Sequence, residues 1–291
     1  MIYLLLKGRL GNQLFQYAAV KTLTDEKGFR LYFGGSENYL HSFQLGNLEI
    51  GQEKISRLSK SSEKFNFLIK KIFVRKFSPQ RQQDPEGVSG EIFDPSFFEI
   101  KDYTLVNGFF SSEKYFRHNR NQILNWFQPK AVYIEQLRKL DALISAPPPQ
   151  RVCIHIRRGD FKRMNNRFSK QGQGWQLPIA YYKAVVQELP KDLFYIVVSD
   201  EPDFAEEALD FIPNKIIIRG NAAVVDMFLM TKCRFNVIAN STFSWWGAWL
   251  NEIPGKIVFS PKYHIGWAKG FWYPADIQVP EWNYIDVLSL L

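Results

Sequence analysis

The sequence predicts an α/β protein with parallel sheets, and three observations support this fold class. The chain opens with a strand-length apolar run, residues 2–6, which ends in a glycine-containing turn and leads into a helical pattern at 14–24. In the second half, short apolar runs alternate with helical patterns. Three consecutive prolines separate the two stretches. We therefore expect two α/β lobes, 1–146 and 151–291, joined by a linker at 145–150.

The second lobe is expected to be Rossmann-like, with a parallel sheet covered by helices on both faces. Its apolar runs are short, rich in Val, Ile and Phe, and separated by segments of helical pattern. The predicted strands are 152–156, 194–198, 215–218, 235–239 and 256–259, and the predicted helices are 178–188, 204–209, 224–232 and 245–251. Open α/β sheets bind ligands beyond the carboxyl ends of their strands, so the residues that follow each strand are the first candidates for a site.

Composition and charge narrow the class of protein. The 291 residues are 46% hydrophobic, which suffices for a sizeable core and excludes wholesale disorder. The net charge of +8 favours anionic partners such as nucleotides, nucleic acid or an anionic membrane surface. Cys153 and Cys233 lie in apolar runs and are expected to be reduced core thiols. The four histidines lack metal-ligand spacing, so no histidine metal site is expected.

Several common signatures are missing from the sequence. It contains no Walker-type phosphate loop and no G-x-G-x-x-G after a strand. It also contains no Asp-x-Asp, with which many metal-dependent sugar transferases hold their ion. No apolar run reaches the roughly 18 residues that a membrane-spanning helix needs. We therefore expect a cytoplasmic protein that uses neither a dinucleotide cofactor nor a metal.

A basic segment of the first lobe, residues 53–81, has two interpretations. Its Lys and Arg residues greatly outnumber its acidic residues, and its apolar residues recur at helical spacing. One interpretation is a helical region with a solvated charged face. The other is a surface that contacts acidic lipid head groups or a lipid-linked acceptor, which would hold the protein peripherally at the inner face of the cell membrane.

Polar side chains follow the predicted strands of the second lobe at the edge where a ligand would bind. Arg157, Arg158 and Asp160 come directly after its first strand, and His155 lies one position inside that strand. Two guanidinium groups at the mouth of a sheet suit a diphosphate, because each offers a planar fork of donors. The fourth strand leads into polar residues at the start of a helix, where backbone N–H groups favour an anion. These residues are Asn240, Ser241, Thr242 and Ser244.

Each of these features also has an ordinary structural interpretation. The Arg157–Asp160 turn alone is compatible with a surface ion-pair loop. His155 is compatible with a satisfied buried histidine, and Ser241–Ser244 with a helix N-cap. The tryptophans at 245–249 favour packing over stacking on a ligand. The combination of these features at neighbouring strand ends favours a site for a nucleoside diphosphate.

Three motifs of the chain stand in a characteristic order and spacing. They are Gly8-Arg-Leu-Gly-Asn-Gln-Leu-Phe-Gln-Tyr-Ala18, His155-Ile-Arg-Arg-Gly-Asp160 and Asn240-Ser-Thr-Phe-Ser-Trp-Trp-Gly-Ala-Trp-Leu250. Together they resemble the motifs of the α-1,2-fucosyltransferases of glycosyltransferase family 11, over roughly Tyr3 to Pro261. The resemblance implies a GT-B-like pair of facing Rossmann-like lobes, of which the C-terminal one binds the nucleotide sugar. It also implies a metal-independent, inverting transfer of L-fucose from GDP-β-L-fucose to the 2-hydroxyl of a terminal galactose.

The same resemblance implies a role for each candidate residue. Arg157 and Arg158 would hold the diphosphate, His155 would lie beside the nucleotide, and Asp226 would read the guanine. Asn240, Ser241, Thr242 and Ser244 would complete a phosphate cradle, and Gly11, Asn12 and Gln13 would reach the donor from the first lobe. Asp160 and His155 are the first candidates for a general base, with Asp200 as a further one. Ion pairing of Asp160 with an arginine is the alternative role. The missing N-terminal membrane anchor is typical of bacterial members.

Two other functions remain open on the sequence. One is a different GDP-sugar-dependent transferase of similar architecture, for instance one that uses GDP-mannose. The other is a non-catalytic protein that binds glycans, nucleic acid or other polyanions through its positive charge and many aromatic rings. The strand-end motifs argue against this second function, because a plain binding module has no need of that arrangement.

Overall fold

The computed structural model shows two compact units, which divide between Gln128 and Pro129. Unit 1 is Met1–Gln128 and unit 2 is Pro129–Leu291. The structure describes residues 2–24, 29–33, 37–45, 75–83, 87, 89–164 and 174–291. Each unit contains its own parallel sheet, which confirms the predicted α/β class.

Unit 1 is built around four parallel strands. The described strands are β1 (Ile2–Leu6), β2 (Phe29–Phe33), β3 (Arg75–Phe77), β4 (Arg81–Gln83), β5 (Ser89–Glu91) and β6 (Thr104–Val106), and the described helices are α1 (Leu10–Thr24) and α2 (Arg120–Trp126). The parallel sheet has the order β2-β1-β6-β3, and β4 pairs with β5 antiparallel. At the sheet centre, Leu4 of β1 lies beside Leu31 and Val106 in the neighbouring strands. The predicted strand 2–6 is thereby confirmed.

Helix α1 begins four residues earlier than the predicted start at Leu14. Gly8 supplies the turn before it with a φ of +71°, a conformation that favours glycine. A Cβ at Gly8 would also clash with the side chain of Asn12. The motif residues Gly11, Asn12 and Gln13 therefore lie in the first helical turn and not in the connecting turn. The helix is buried nearly all round, as expected for a helix with apolar residues on every side.

Unit 2 is built around six parallel strands, as predicted for the second lobe. The strands are β7 (Arg151–Ile156), β8 (Phe194–Ser199), β9 (Lys215–Ile217), β10 (Phe235–Val237), β11 (Ile257–Pro261) and β12 (Asn283–Ile285), and the helices are α3 (Ala131–Ala142), α4 (Ile179–Glu188), α5 (Pro202–Ala208), α6 (Ala223–Met230) and α7 (Thr242–Trp249). The sheet order is β12-β11-β10-β7-β8-β9, so β7 and β10 are adjacent at its centre. Five of these strands and four of the helices coincide with predicted ones; β12 and α3 were not predicted.

The proline run lies inside unit 2, whereas the sequence predicts a linker at 145–150. Helix α3, which precedes it, packs against α6 of unit 2. Arg151, the first residue of β7, hydrogen-bonds to the segment between α3 and β7. Its Nε donates to the carbonyl of Ala146 at 2.6 Å, and Nη2 donates to that of Ile144 at 3.3 Å. Its Nη1 pairs with Asp141 of α3. A buried guanidinium with three internal partners therefore ties the segment before the prolines to α3 and β7.

The basic segment is only partly described. Residues 46–74 lie outside the described residues, so the proposed helix and membrane contact of 53–81 are not tested. Arg75, Lys76 and Arg81 are described, and each is exposed. Within the described ranges, no helix combines the length and the apolar character needed to cross a bilayer.

The tryptophan cluster of α7 is a packing element, in line with the favoured interpretation. Trp245, Trp246 and Trp249 are 1%, 0% and 3% exposed. Trp245 stacks on Trp249, and its indole Nε1 donates to the carbonyl of Ile277 at 3.0 Å. Large buried rings whose N–H finds a partner are typical of a core, so these three are not available to stack on a ligand.

Candidate active site

Arg157, the first residue after β7, lies between two carboxylates at the carboxyl edge of the unit 2 sheet. Its Nη2 pairs with Asp160, and its Nη1 lies 2.9 Å from Oδ2 of Asp200. The guanidinium carbon is 5.4 Å from the ring centroid of Phe161. Two ion pairs and one ring fix the direction of the guanidinium, while 17% of the side chain stays exposed. The geometry suits a cation that is already oriented when an anion arrives.

Arg158 has different neighbours. Its Nε donates to Oε2 of Glu201 at 3.1 Å, and its guanidinium carbon lies only 3.4 Å above the ring of Phe204 in α5. Glu201 also pairs with Lys162. Hydrogen bonding from Lys162, and then from Arg158, lowers the pKa of Glu201. The two adjacent arginines, to which the sequence assigns the same role, are thus directed to different partners.

Asp200 is the residue that connects the turn after β7 with the neighbouring strand β8. Besides its ion pair with Arg157, it accepts a hydrogen bond from the backbone N–H of Arg158 at 2.9 Å. A Cβ at Gly159 would clash with the Asp200 carboxylate, so the glycine allows this close approach. Asp200 follows a predicted strand, and the same strand-end reasoning could have placed it among the principal site residues instead of only among possible bases.

The charges of this cluster balance before any ligand arrives. The cations are Arg157, Arg158 and Lys162, and the carboxylates are Asp160, Asp200 and Glu201. An incoming diphosphate meets cations that already have carboxylate partners, so each guanidinium either shares its N–H donors or exchanges one partner. The partial exposure of these side chains leaves room for either arrangement.

His155 is buried next to the turn, with 4% of its surface exposed. Burial, assisted by the charge of Arg157, lowers its pKa to about 3. Its ring lies 5.1 Å from the ring of Phe243 in the first turn of α7, which places that helix start over the end of β7. Among the described residues, its Nδ1 has no hydrogen-bond partner. The ring is neutral at physiological pH, and a group with this pKa accepts a proton poorly.

Helix α7 begins at Thr242, three residues before its predicted start at Trp245. The reason is the N-cap: the hydroxyl of Ser241 accepts a hydrogen bond from the N–H of Phe243 at 3.3 Å. Ser244 is fully buried, and its hydroxyl contacts the carbonyls of Ala239 and Ser241 at 3.3 Å each. Ser244 therefore supports the turn, whereas Thr242 is half-buried at the positive end of the helix.

Asn240 anchors one end of the segment that follows the arginine turn. Its Nδ2 donates to the carbonyl of Trp175 at 2.8 Å, and the indole Nε1 of Trp267 donates to the same carbonyl at 3.2 Å. Because a carbonyl only accepts, the amide nitrogen must face it, which leaves Oδ1 of Asn240 buried without a partner among the described residues. An oxygen acceptor does not suit a phosphate. The N–H of Trp175 donates to the carbonyl of Phe161 at 3.0 Å, and residues 165–173 between them lie outside the described residues.

Asp226 lies in the first turn of α6. Burial raises its pKa to about 6, and a hydrogen bond from Nδ2 of Asn221 to its Oδ1, at 3.1 Å, works in the opposite direction. A partly buried carboxylate with few internal donors suits a ligand that presents N–H groups, as the Watson–Crick edge of guanine does.

In unit 1, the side chain of the motif residue Gln13 already has hydrogen-bond partners within the protein. Gln13 is fully buried. Its Nε2 donates to the carbonyls of Gly8 at 3.2 Å and Glu37 at 2.7 Å, and its Oε1 accepts from the N–H of Tyr39 at 3.0 Å. This side chain ties three chain segments together. Gly11 is buried and Asn12 is half-buried in the first turn of α1, so of the three predicted donor contacts Asn12 keeps the most accessible side chain.

The family follows from the comparison with known sequences. The sequence model described as glycosyl transferase family 11 matches residues 1–286. The chain belongs to glycosyl transferase family 11. Within the described part of this family 11 chain, no group of three or more His, Cys, Asp or Glu side chains is arranged to hold a metal ion.

Curated relatives cover nearly the whole chain. The O-antigen biosynthesis glycosyltransferase WbnK of Escherichia coli is 29% identical over 90% of this chain and 94% of its own. An alpha-1,2-colitosyltransferase of Escherichia coli is 28% identical over 88% and 89% of the two chains. Galactoside alpha-(1,2)-fucosyltransferase 2 of Oryctolagus cuniculus is 22% identical over 88% of this chain and 68% of its own. These relatives show that the family 11 chain is a glycosyltransferase.

A solved structure agrees with the fold. POFUT1, in a crystal structure in complex with GDP, superposes with a TM-score of 0.50 at 15% identity, over 89% of this chain and 97% of that one. At this identity the likeness shows the fold alone, and it is that of the GT-B-type fucosyltransferases, as expected.

Proposed function

We propose that this family 11 chain is an inverting α-1,2-fucosyltransferase. It transfers L-fucose from GDP-β-L-fucose to the 2-hydroxyl of a terminal galactose. The observation that carries the proposal is Arg157, a pre-oriented guanidinium held between Asp160 and Asp200 at the carboxyl end of β7. The three family motifs and the relatives named for α-1,2 transfer support the linkage and the sugar class.

In the proposed reaction, the galactose 2-hydroxyl attacks fucose C1 from the face opposite GDP. The bond between C1 and the phosphate oxygen breaks, and its electron pair leaves with GDP. Charge develops on the diphosphate as this happens, and groups aimed at developing charge usually make the largest single contribution to catalysis. Arg157 supplies a planar fork for two phosphate oxygens. The N–H groups at the start of α7, beside Thr242, add a positive helix end.

The proton of the attacking hydroxyl needs an acceptor, and Asp160 is the better of the two principal candidates. His155 has a pKa of about 3, so it is a weak proton acceptor at neutral pH. Asp160 is a carboxylate at the site, although its ion pair with Arg157 gives it an orienting role as well. If Asp160 is the base, Asp160→Asn changes the pH–rate profile, whereas His155→Gln leaves it unchanged; an unchanged profile in both variants means that the base lies elsewhere.

We further propose that the transfer needs no divalent cation, because cationic side chains take up the charge of the diphosphate. Arg157 and the end of α7 would neutralise it directly, and Arg158 and Lys162 lie in the same turn. Activity that persists in EDTA supports this proposal, and activity that appears only with Mg²⁺ or Mn²⁺ refutes it.

A second donor is favoured by one specific relative. The alpha-1,2-colitosyltransferase matches 88% of this chain. Colitose is L-fucose without its 3-hydroxyl, so both GDP sugars present the same diphosphate and guanine to Arg157 and Asp226. Transfer from GDP-colitose in preference to GDP-fucose would replace the proposed donor and keep the proposed site. GDP-mannose tests the wider alternative of another GDP-sugar transferase.

The acceptor is proposed to be a galactose-terminated unit of a surface polysaccharide such as an O-antigen, carried by a lipid. The relative named for O-antigen biosynthesis supports this class of acceptor. Such an acceptor would bring the protein to the cytoplasmic face of a membrane, where the basic segment 53–81 could contact lipid head groups.

One experiment tests the proposal as a whole. The purified chain is incubated with GDP-fucose, GDP-colitose or GDP-mannose and a panel of β-galactosides, with and without EDTA, and the linkage of any product is determined. We expect an α-1,2-fucosylated product in EDTA. Salt-sensitive binding to many polyanions, without selectivity for GDP over UDP, would instead support a non-catalytic binding protein.

A further inference from the structure

The turn 157–160 leads from β7 into a 3-10 helix, Gly159–Arg163, and is held by two carboxylates that follow β8, Asp200 and Glu201. Arg158 has φ −133° and ψ −67°, which is neither helical nor extended. Asp160 contacts Arg157 from within the turn, whereas Asp200 reaches it from the end of β8. The backbone N–H of Arg158 donates a hydrogen bond to Asp200, which lies 42 residues further along the chain.

Asp200 makes two different contacts with its two carboxylate oxygens. Oδ1 accepts from the backbone N–H of Arg158 at 2.9 Å, and Oδ2 pairs with Nη1 of Arg157 at 2.9 Å. The first contact fixes the backbone of the turn, and the second fixes the guanidinium that the turn carries. Gly159 leaves the space that the carboxylate needs.

We propose that Asp200 is a positioning residue for the donor diphosphate. It acts through Arg157, by holding that guanidinium and the backbone beside it in the geometry that the diphosphate meets. The inference rests on the proposed binding of a GDP-linked donor in this turn. Asp160 cannot substitute, because it belongs to the same turn and moves with it, whereas Asp200 ties the turn to the sheet through a neighbouring strand.

The test is a double-mutant cycle on GDP affinity, measured by calorimetry with the full chain. Asp200→Asn keeps an oxygen for the Arg158 N–H and removes the charge that pairs with Arg157. We expect it to weaken GDP binding about tenfold, since hydrogen bonds to charged groups contribute more than neutral ones. Asp203→Asn is the matched control: it removes the same charge three residues further on, where the side chain is 91% exposed and pairs with Arg219. The control should bind GDP like the wild type.

The double-mutant cycle distinguishes a role of Asp200 that acts through Arg157 from a purely structural role of Asp200. If Asp200 acts through Arg157, Asp200→Asn has little further effect once Arg157 is replaced by Ala. Equal losses in both backgrounds would overturn the proposal in favour of a merely structural role. Wild-type affinity of Asp200→Asn would overturn it as well. Asp200→Glu, which keeps the charge but lengthens the side chain, is expected to bind GDP less tightly than the wild type and to keep an intact thermal transition.

The outcome also distinguishes this inference from the proposed function. A wild-type chain that does not bind GDP contradicts the proposed function itself. A wild-type chain that binds GDP, with no coupling between positions 157 and 200, contradicts the positioning role alone.

Discussion

The segments that follow the first strand of each unit carry family motifs but use their polar side chains in opposite ways. In each unit that strand is a central strand of the parallel sheet. In unit 1 the motif side chain Gln13 is fully buried and bonded to three backbone groups. In unit 2, Arg157 is partly exposed and bonded to two carboxylates. Buried neutral amides with satisfied partners hold a fold together, whereas partly solvated ion pairs can exchange a partner for a ligand.

The largest effect on activity is expected at Arg157. Replacement by Ala removes the oriented fork and should raise the barrier by about 3 kcal/mol, roughly a hundredfold loss of turnover at saturating donor. Arg157→Lys should rescue poorly, because a point charge does not reproduce a bidentate donor. Steady-state kinetics with a saturating GDP sugar measures both variants. Near-normal turnover of Arg157→Ala would show that the turn after β7 is not the place where the diphosphate leaves.

The corresponding change in unit 1 should affect stability. Gln13→Leu leaves two carbonyls and one N–H without their partner, so we expect a loss of about 3 kcal/mol in the free energy of unfolding. Denaturant unfolding measures the loss, and Gln82→Leu, on the exposed strand β4, serves as control. A Gln13→Leu chain of normal stability that no longer binds GDP would reverse the comparison and make Gln13 a ligand contact.

The contrast between the turns also shows what the sequence could predict. The strands of unit 2 were predictable because runs such as Phe194–Ser199 are short, apolar and β-branched. The grouping of polar residues at one edge followed from the parallel arrangement. The starts of α1 and α7 were missed, because capping by Ser241 and a left-handed Gly8 decide where a helix begins. The contacts of the segment before the proline run could not be predicted for a similar reason, since they depend on where Arg151 finds its partners.

The different directions of Arg157 and Arg158 could not be derived from the sequence. The direction of Arg158 is set by Glu201 and by the ring of Phe204, more than 40 residues further along the chain. Side-chain direction in an irregular turn depends on such long-range contacts and not on local pattern. Family resemblance assigns both arginines to the diphosphate, and only the structure shows that they have different carboxylate partners.

The affinity for GDP is expected to depend on pH through Asp226, whose pKa is raised to about 6. If its ionised form accepts the N–H groups of guanine, GDP affinity is full above pH 6 and falls about tenfold for each further pH unit below it. Calorimetric titration of GDP between pH 5 and 8 measures this fall, and Asp226→Asn should flatten it. A GDP affinity that stays constant over this range in the wild type would remove Asp226 from the guanine site.

The raised pKa of Asp226 makes the stability of the folded state depend on pH in the opposite direction to GDP affinity. The folded state binds the Asp226 proton more tightly than the unfolded state, so this stabilising contribution is present below about pH 4 and is lost as the pH rises through about 6. Asp226→Asn should therefore be more stable than the wild type at pH 7.5, by up to about 3 kcal/mol, and the difference should disappear near pH 4. Paired unfolding curves at the two pH values check the sign.

The smallest effect is expected at Arg158, and it is the sharpest test of the difference between adjacent residues. Arg158→Ala removes a contact with Glu201 and a ring contact with Phe204 but leaves the Arg157 guanidinium and its two carboxylates in place. The hydrogen bond from the backbone N–H of residue 158 to Asp200 also remains. We expect turnover to fall by about fivefold, far less than for Arg157→Ala, because partly exposed ion pairs contribute roughly 1 kcal/mol or less. Arg219→Ala, which removes an exposed arginine from its own carboxylate pair, is the matched control. If Arg158→Ala is as inactive as Arg157→Ala, then Arg158 must leave Glu201 and turn to the diphosphate when the donor binds, and the separation of roles seen here belongs only to the state without donor.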